Sequence, residues 1–470
     1  MRLFPVSGVS GVVLLTAVAT ACGSTSNDNN GSGSGTQTPT NTVTSTGTST
    51  STSTSGTSGA AGASGSTAGT SGGSGSLSGA SGGSGSASTA TTTSTSTGTA
   101  TTDGGTGPSG APNALHVMGN RILDGNGNTV VLRGVAVPDV GLLYSQNSNN
   151  ISGVTGRIDE ILGPAGLAVK AVRLPVYPRT VVNSGSPTYS PVPYPVGMVA
   201  PNDAGGGEMS APDYIANILK PAVDYVTSKN LYAIVDFHQI DNVTTGTSSA
   251  DAVTFWTTVA PVFAGYPNVI YEAFNEPIDN KANAGVTTAG AWTAAFTMAA
   301  QSWVTAIRTG APNNVIIVGS PQWSQYPDGA MAANLTGGNL VYTAHIYPGN
   351  WPTTNNTFLT RVTNAAMNVP VAVTEWGYEI GTASTFNNLA TPDDTWAQAL
   401  QTLLNTGGES WTAWVADPYW GPAMFNRPTG TGGVNGFSSL TDFGTFVQKW
   451  LAAGGSTGTS TGSGDGGTEQ

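Results

Sequence analysis

Eight short apolar runs alternate with segments of helical periodicity between residues 113 and 454, and this alternation constrains the fold more than any other feature of the chain. Near-continuous apolar runs are typical of parallel strands that are covered on both faces. Eight strand-then-helix units predict a single (β/α)8 TIM barrel of the α/β class. The predicted strands are Thr129–Val137, Ala168–Val176, Leu231–His238, Asn268–Asn275, Asn314–Gly319, Asn339–His345, Pro370–Glu375 and Ser410–Val415.

The segments between these strands carry helix signals. Pro212 and Asp213 precede a run in which apolar residues recur at helical spacing, which predicts a helix start there. A doubly wound open sheet is the main alternative fold, but no glycine-rich phosphate-binding turn follows the first strand. The predicted helices are Tyr214–Ser228, Ala250–Phe263, Ala291–Arg308, Thr357–Met367 and Thr395–Asn405.

Low-complexity sequence flanks this domain. Residues 23–112 consist almost entirely of Ser, Thr, Gly and Ala and contain no Phe, Trp or Tyr. Such a segment buries too little apolar surface to offset its conformational entropy, so we predict a disordered linker. Residues 455–470 have the same character and predict a disordered tail. The folded domain is therefore predicted at residues 113–454.

The first 22 residues have the features of a secretory signal. Arg2 precedes the apolar run Val12–Val18, and small residues precede Cys22, which is the only cysteine of the chain. This end resembles a bacterial lipobox, which implies lipidation of Cys22; plain secretion with cleavage nearby is the alternative. We expect a secreted protein that is anchored to the cell envelope, at the outer membrane or the cell surface. A single cysteine also excludes disulfides and thiolate metal sites within the domain.

The charge of the domain excludes several partners. Without the leader, linker and tail it carries 13 of the 14 basic and 22 of the 26 acidic residues, a net charge near −9. No basic patch is visible, so we expect no nucleic acid partner and no membrane contact other than the lipid anchor. A neutral substrate fits this charge better. We further expect a monomer that needs neither a cofactor nor a metal.

Polar side chains end the apolar strands at the face where TIM barrels place their chemistry. Glu276 and Glu375 are the only glutamates at the very end of predicted strands, and the two strands lie across the barrel mouth from each other. Two carboxyl groups about 5–5.5 Å apart are what a retaining glycosidase needs, one as nucleophile and one as acid/base. Arg173 is the candidate cation that keeps the nucleophile ionised. The other strand-end residues are His238, Asn275, His345 and Tyr347.

Tryptophans in loops and at strand ends predict a carbohydrate surface, because aromatic faces stack on the apolar face of a pyranose ring. An open row of such rings suits a polysaccharide. The tryptophans expected on the open face are Trp323, Trp351, Trp376, Trp414 and Trp420.

Taken together, these segments resemble glycoside hydrolase family 5, the cellulase-type family. They occur in order and span nearly all of residues 113–454. The matching pieces are ILDGNGNTVVLRGV at 122–135, VRLPV at 172–176, IVDFH at 234–238, YEAFNEP at 271–277, IIVGSPQWSQ at 316–325, YTAHIYPG at 342–349, VTEWG at 373–377 and SWTAW at 410–414.

The resemblance implies roles for individual residues. Glu276 would be the acid/base and Glu375 the nucleophile of a retaining β-glycosidase. Asn275 would bind the sugar 2-hydroxyl, and Arg173 and Tyr347 would hold and polarise Glu375. Glu272 lies four residues before Glu276, so its side chain is expected to point into the lower layers of the barrel, and we interpret it as structural.

Other positions would bind substrate. The resemblance implies that His238 and His345 line the subsite at the cleavage point and that Trp323 also contacts substrate. Trp414 would be the stacking platform at the cleavage point, with Trp411 as a competing alignment.

Substrate choice is the least constrained expectation. The pieces at 316–325 and 410–414 look most like endo-β-1,4-glucanases, which act on cellulose or soluble β-glucans. A long proline-rich insertion at 178–212 is expected to shape one rim of the cleft, and it equally suits a β-mannanase or a xyloglucan-active enzyme. Two functions from other classes are alternatives. A surface carbohydrate-binding protein without turnover fits the predicted linker and the tryptophans. A structural adhesin would use the Ser/Thr-rich linker for display.

Overall fold

The computed structural model describes nine stretches of the chain. The predicted signal segment with Cys22, nearly all of the predicted linker, most of the proline-rich insertion and the tail lie outside them, so these features remain predictions. The described residues are 108–177, 181–183, 186–188, 211–245, 247–279, 291–349, 357–381, 389–428 and 437–454.

Eight parallel strands close into a barrel in chain order, with the last strand paired to the first. Each predicted strand overlaps its observed counterpart, so the predicted (β/α)8 TIM barrel is confirmed. We number the barrel strands β1 Arg133–Ala136, β2 Ala171–Val176, β3 Tyr232–Phe237, β4 Val269–Glu272, β5 Ile316–Val318, β6 Leu340–Ile346, β7 Val371–Trp376 and β8 Ser410–Ala413.

Helices cover the outside of this barrel. The five predicted helices are all present, although their ends differ by a few residues. Tyr214–Ser228 is wound as three consecutive pieces, the middle one a wider turn at Ile215–Leu219. The helical segments are Val140–Gln146, Ser152–Leu162, Ala211–Tyr214, Ile215–Leu219, Lys220–Ser228, Ser248–Val259, Ala260–Phe263, Ala294–Gly310, Pro321–Ser324, Pro327–Gly329, Ala330–Ala333, Thr357–Ala366, Thr395–Gly407 and Asp442–Gly454.

A β-hairpin covers the amino-terminal end of the barrel. Leu115–Met118 pairs antiparallel with Arg121–Asp124. Leu115 and Ile122 are buried against inward-facing side chains near the start of the barrel strands. This end is therefore a packed apolar plug, and polar chemistry is confined to the opposite end. The apolar side chains of the plug include Leu132, Ile234, Ile270, Ile317 and Val341.

Short strand pairs extend the opposite, carboxyl end. Glu276–Ile278 pairs parallel with Ile240–Asn242, just beyond β4 and β3. Glu379–Ile380 pairs with Ala390–Thr391 after β7, and Val181–Asn183 pairs with Ser186–Thr188 after β2. In the part of the chain that the structure describes, no helix has both the length and the apolar character needed to cross a bilayer.

Candidate active site

Glu276 and Glu375 converge at the carboxyl end of the barrel. Side chains alternate along a strand, so Glu375 points into the barrel while Trp376 points out to the helices. Glu276 lies on the short strand after β4, where its backbone N–H donates to the Gln239 carbonyl at 3.1 Å. One carboxylate oxygen of each glutamate and a ring nitrogen of His345 all lie within 4.8 Å of one another. Both side chains are buried but retain an accessible edge, at 9% and 6% exposure.

Arg173 connects the two glutamate-bearing strands from below. It lies on β2, is fully buried and donates from Nη1 to Glu375 Oε1 at 2.7 Å. Its Nη2 donates to Asn275 Oδ1 at 2.7 Å, and its Nε donates to Glu272 Oε2 at 2.6 Å. A guanidinium presents its donors in a fixed fork, so one side chain sets the positions of these three residues.

His345 and Tyr347 complete the contacts of the two carboxyl groups. The Tyr347 hydroxyl donates to Glu375 Oε2 at 2.9 Å. His345 Nδ1 lies 2.9 Å from Glu276 Oε1 and 3.6 Å from Glu375 Oε2. The pairing of β6 with β7 shifts register between Thr343 and His345, and after the shift His345 lies beside Glu375. One irregularity of β6 thus places the imidazole between both acids.

These surroundings separate the pKa values of the two glutamates. Burial alone would raise the pKa of Glu375, but the charges of His345 and Arg173 hold that pKa below its ordinary value. Burial raises the pKa of Glu276, and its hydrogen bond to His345 only partly opposes this. The two pKa values are thereby moved apart, that of Glu375 toward the ionised form and that of Glu276 toward the protonated form, which is the direction that a nucleophile and an acid/base require.

His345 itself is held as a cation. Burial alone would lower its pKa, but the surrounding Glu375, Glu272 and Glu276 raise the pKa of His345 to about 10. Its Nε2 lies 3.1 Å from Thr374 Oγ1, which in turn donates to Glu272 Oε1 at 2.6 Å. The protonated imidazole therefore has a hydrogen-bond partner on each side, Thr374 in the barrel interior and Glu276 at the mouth.

Asp236 is a buried acid of the site that was not predicted from the sequence. Its Oδ2 lies 2.9 Å from Arg173 Nη2 and 2.6 Å from His238 Nδ1. Burial lowers the pKa of His238 to about 3, so this imidazole is neutral. The signal was available, because Asp236 lies two residues before His238 and side chains two apart share a strand face.

The tryptophans are only partly where the sequence placed them. Trp414 lies parallel to the His238 ring, with centroids 5.2 Å apart and an interplanar angle of 7°, but it is only 3% exposed. Trp411 points the other way, into the helix layer, with its ring centroid 4.3 Å from that of Trp450. Of these two, Trp414 is the one that adjoins the site.

Trp376 corrects one expectation. It is fully buried and packs against Trp411 and Phe443 instead of lying on the open face. The physical reason is the strand alternation, because Glu375 occupies the inward position and its neighbour must point outward. Trp351 lies outside the described residues.

Trp323 is partly exposed and sits in a strained turn after β5. Gln322, Trp323 and Ser324 all have positive φ angles, at 57°, 55° and 53°. Ser324 Oγ donates to the Asn275 carbonyl at 2.7 Å, and Gln322 Nε2 donates to the Asp279 carbonyl at 2.8 Å. Non-glycine residues adopt such angles only where surrounding contacts enforce them. The turn is therefore fastened to the segment that carries Glu276.

One trio of metal-type ligands occurs among the described residues, formed by Glu276, His345 and Glu375. Two cations already neutralise these acids, since Arg173 contacts Glu375 at 2.7 Å and His345 is protonated. A metal would have to displace the His345 proton and approach the guanidinium, so the donor set suits proton transfer better than metal binding.

The chain is similar in sequence to a known family. A family model described as cellulase, glycosyl hydrolase family 5, matches residues 165–419, more than half of the 470-residue chain. The chain belongs to glycosyl hydrolase family 5. The matched span contains Arg173, Glu276 and Glu375, so the resemblance drawn from the sequence is confirmed at the level of the family.

Relatives of this family 5 chain carry endoglucanase names. An endoglucanase of Clostridium saccharobutylicum is 29% identical over 338 residues, which cover 71% of this chain and 64% of the relative. Endoglucanase N of Pectobacterium atrosepticum is 32% identical over 260 residues, which cover 54% of each protein. The chain thus spans between about half and two-thirds of the length of these relatives.

Solved structures share the fold of the family 5 domain. A beta-glucanase from Saccharophagus degradans matches with a TM-score of 0.57 at 22% identity, covering 73% of this chain and 94% of that one. The catalytic domain of endoglucanase Cel5A from Thermobifida fusca matches with a TM-score of 0.51 at 24% identity, covering 72% and 97%. At these identities the likeness concerns the barrel alone.

Proposed function

We propose that this family 5 chain is a retaining, endo-acting hydrolase of β-1,4-glucan. The observation that carries the proposal is the approach of one Glu276 oxygen and one Glu375 oxygen to within 4.8 Å. Retaining glycosidases hold their two carboxyl groups about 5–5.5 Å apart, whereas inverting enzymes need about 6.5–9.5 Å to admit a water between them.

In the first step Glu375 attacks the anomeric carbon. The bond from that carbon to the bridging oxygen breaks, and Glu276 transfers its proton to the departing oxygen. A glycosyl ester forms on Glu375. In the second step the now ionised Glu276 takes a proton from water, the water oxygen attacks the anomeric carbon, and Glu375 leaves as a carboxylate.

The neighbouring side chains serve these two steps. Arg173 and the Tyr347 hydroxyl each contact one oxygen of Glu375, which fixes the nucleophile and keeps it ionised. Asn275, held by Arg173, is the proposed partner of the sugar 2-hydroxyl. Neutral His238 and the ring of Trp414 line the position of the sugar that is attacked, and Trp323 is proposed to contact the sugar beyond the cleaved bond.

Azide rescue distinguishes the two glutamates. In Glu276→Ala, azide should attack the glycosyl ester and release a β-glycosyl azide from a dinitrophenyl glycoside. In Glu375→Ala, azide takes the place of the nucleophile and should release the α-anomer. Proton NMR of wild-type products should show the β-anomer first. Net inversion by the wild-type enzyme, or the same azide anomer from both variants, contradicts the proposed roles.

A polymer comparison tests the substrate. The names of the relatives favour a β-1,4-glucan, so rates should be highest on carboxymethylcellulose or a soluble β-glucan and lower on glucomannan and xyloglucan. A higher rate on glucomannan would indicate a β-mannanase, and one on xyloglucan a xyloglucan-active enzyme. Binding by wild-type protein with no release of reducing sugar would indicate the non-catalytic binding protein.

We also propose that the domain is secreted as a monomer and anchored to the cell envelope through lipidated Cys22. The support is the apolar leader run that ends in this cysteine. Labelled palmitate should enter the wild-type chain and be absent from Cys22→Ser, which should be released from the membrane fraction. Equal fractionation of the two chains contradicts the anchor. Gel filtration of the released chain tests the monomer.

A further inference from the structure

The turn after β5 lies beside the segment that carries Glu276 and, apart from Trp323, has no role in the steps above. We call residues 319–324 the β5 turn and residues 274–279 the acid/base segment. Every residue of the β5 turn except Trp323 is buried, so the turn is an internal part of the barrel end. Three contacts join it to the acid/base segment, one before Glu276, one beside it and one after it.

The contact before Glu276 is a hydrogen bond from a serine hydroxyl. Ser324 is fully buried, and its Oγ donates to the Asn275 carbonyl at 2.7 Å. That carbonyl and the N–H of Glu276 belong to one planar peptide group. The Glu276 N–H in turn donates to the Gln239 carbonyl at 3.1 Å. The peptide group from which the acid/base extends is therefore held from both sides.

The contact after Glu276 is a hydrogen bond from a side-chain amide. Gln322 is 4% exposed, and its Nε2 donates to the Asp279 carbonyl at 2.8 Å. The carboxylate of Asp279 is itself held, because it accepts from the hydroxyls of Thr244 at 3.1 Å and Thr293 at 2.6 Å. The end of the acid/base segment is therefore fixed as well as its beginning.

The contact beside Glu276 is a direct approach of two backbones. A Cβ on Gly319 would overlap the carbonyl oxygen of Phe274 and would come within 2.9 Å of Pro277 Cδ. Only glycine lets the β5 turn begin this close to the acid/base segment. Because no side chain separates the two segments here, a shift of one displaces the other.

The backbone of the β5 turn is strained where the two hydrogen bonds originate. Gln322, Trp323 and Ser324 have positive φ angles, and the hydrogen bonds come from the first and the last of these three residues. Non-glycine residues keep such angles only where surrounding contacts over-determine them, and such strain clusters at functional sites. The strain and the contacts with the acid/base segment are thus parts of one device.

We propose that Ser324 and Gln322 are positioning residues that hold Glu276 where its proton reaches the bridging oxygen. This inference rests on the proposed glycosidase function. A general acid must lie within hydrogen-bond reach of the atom that it protonates, and a misplacement of about 1 Å can lower a rate about a hundredfold. The carboxyl of Glu276 contacts His345 at 2.9 Å, and the backbone from which it extends sets how far it reaches toward the substrate.

A series of leaving groups measures the position of the acid. In aryl β-cellobiosides a dinitrophenol departs without a proton, a nitrophenol needs partial help and a phenol needs the proton of Glu276. The constant kcat/KM covers only the steps up to the glycosyl ester, so the later role of Glu276 as a base does not enter. In Ser324→Ala and Gln322→Met, kcat/KM should fall about tenfold or more for the phenyl cellobioside and less than about threefold for the dinitrophenyl cellobioside. The loss should increase with the pKa of the phenol.

Two further variants separate the hydrogen bond from strain and from folding. Ser324→Gly also lacks the hydroxyl, but glycine adopts positive φ angles without strain, so it should show the same dependence on the phenol as Ser324→Ala. Ser302→Ala is the matched control, because Ser302 Oγ donates to the Ala299 carbonyl at 2.6 Å on the outer helix Ala294–Gly310. It should keep the wild-type rates on all three cellobiosides. A ratio of two rates does not depend on the folded fraction, so a partly unfolded variant still gives the result.

An equal loss for all three phenols, or no loss, in both Ser324→Ala and Gln322→Met overturns the proposal. Effects on stability or on the sugar contact of Trp323 do not follow the pKa of the phenol. A dependence in Ser324→Ala that is absent from Ser324→Gly overturns the role of the hydroxyl, because strain would then be the cause. Failure of the proposed function has a different signature, since wild-type protein would then hydrolyse none of the three cellobiosides, and the positioning role would be contradicted with it.

Discussion

Glu272 lies below both proposed catalytic acids and contacts a partner of each. It accepts from Arg173 Nε at 2.6 Å and lies 3.7 Å from His345 Nε2. Burial alone would raise the pKa of Glu272, but Arg173 and His345 hold it at about 2, so the side chain is ionised at every working pH. The sequence predicts a structural residue at this position, whereas the contacts of Glu272 place it in the charge network of the site.

We predict that Glu272→Gln lowers kcat/KM about ten- to hundredfold, which corresponds to about 1.4–2.8 kcal/mol of transition-state stabilisation. Loss of this anion removes one negative charge from the network, while His345, whose pKa starts at about 10, stays protonated in the acidic range. The acidic limb of the pH profile, set by Glu375, should therefore move to lower pH. Glu409→Gln is the control, because Glu409 is also buried but lies before β8 at the opposite end of the barrel. If the acidic limb of Glu272→Gln coincides with that of wild type, Glu272 has only a structural role.

The pH dependence of kcat/KM follows from the two proposed catalytic glutamates. Glu375 must be ionised, and its pKa lies below the ordinary value, so activity should persist below about pH 4.3. Glu276 must be protonated, and its pKa is raised, so activity should fall only as the pH rises through that higher value. With a dinitrophenyl glycoside, which departs without a proton, Glu276→Ala should lose the alkaline limb. Persistence of that limb would assign it to another group.

Single residues were predictable where they end a strand and much less so elsewhere. Arg173, Asn275, Glu276, His345 and Glu375 were found because an ionisable or amide group at the end of an apolar run stands out in the sequence. Asp236 and Thr374 lie within runs, where one polar residue resembles an ordinary inward-facing position. The prediction for Trp376 was wrong because nearness to a strand end does not fix the direction of a side chain, whereas the alternation from inward-facing Glu375 does.

At the scale of elements, hydrophobic periodicity found all eight barrel strands and the five predicted helices. It could not find the turn at 322–324, because three successive non-glycine residues with positive φ have no sequence signal; only the contacts of Gln322 and Ser324 with the β4 segment enforce it. The shift in β6 before His345 was equally hidden, since a bulge depends on the neighbouring strand. Both irregularities lie at the site.

The helix Ala294–Gly310 supplies an element-scale prediction. Thr293 caps this helix by accepting from Phe296 N at 3.1 Å, and its hydroxyl donates to buried Asp279 at 2.6 Å. Thr293→Ala should lower the free energy of unfolding by about 1 kcal/mol, measured by urea denaturation. Thr293→Ser keeps the hydroxyl and should lose only a small part of that. Equal destabilisation by Ala and Ser would show that the methyl group, and not the cap, matters.

At the scale of the whole molecule, the barrel has a polar end that carries the candidate site and an apolar end closed by the hairpin. The contacts of the hairpin predict how far the chain can be shortened from its amino terminus. A chain that starts at residue 108 should keep the unfolding temperature and kcat/KM of the full chain, because the described contacts of the domain begin there.

A chain that starts at residue 128 loses Leu115, Ile122 and Leu123, which are 5%, 6% and 4% exposed. Burial of each such side chain contributes about 1.5–3 kcal/mol, so the loss approaches the total stability of about 5–15 kcal/mol of an ordinary domain. We expect this shorter chain to unfold well below the full chain in a thermal scan, whereas Met118→Ser, a 65% exposed position of the same hairpin, should leave the transition unchanged. If the chain from residue 128 unfolds at the full-length temperature, the hairpin does not close the barrel and the amino-terminal end must be stabilised by the inward-facing strand residues alone.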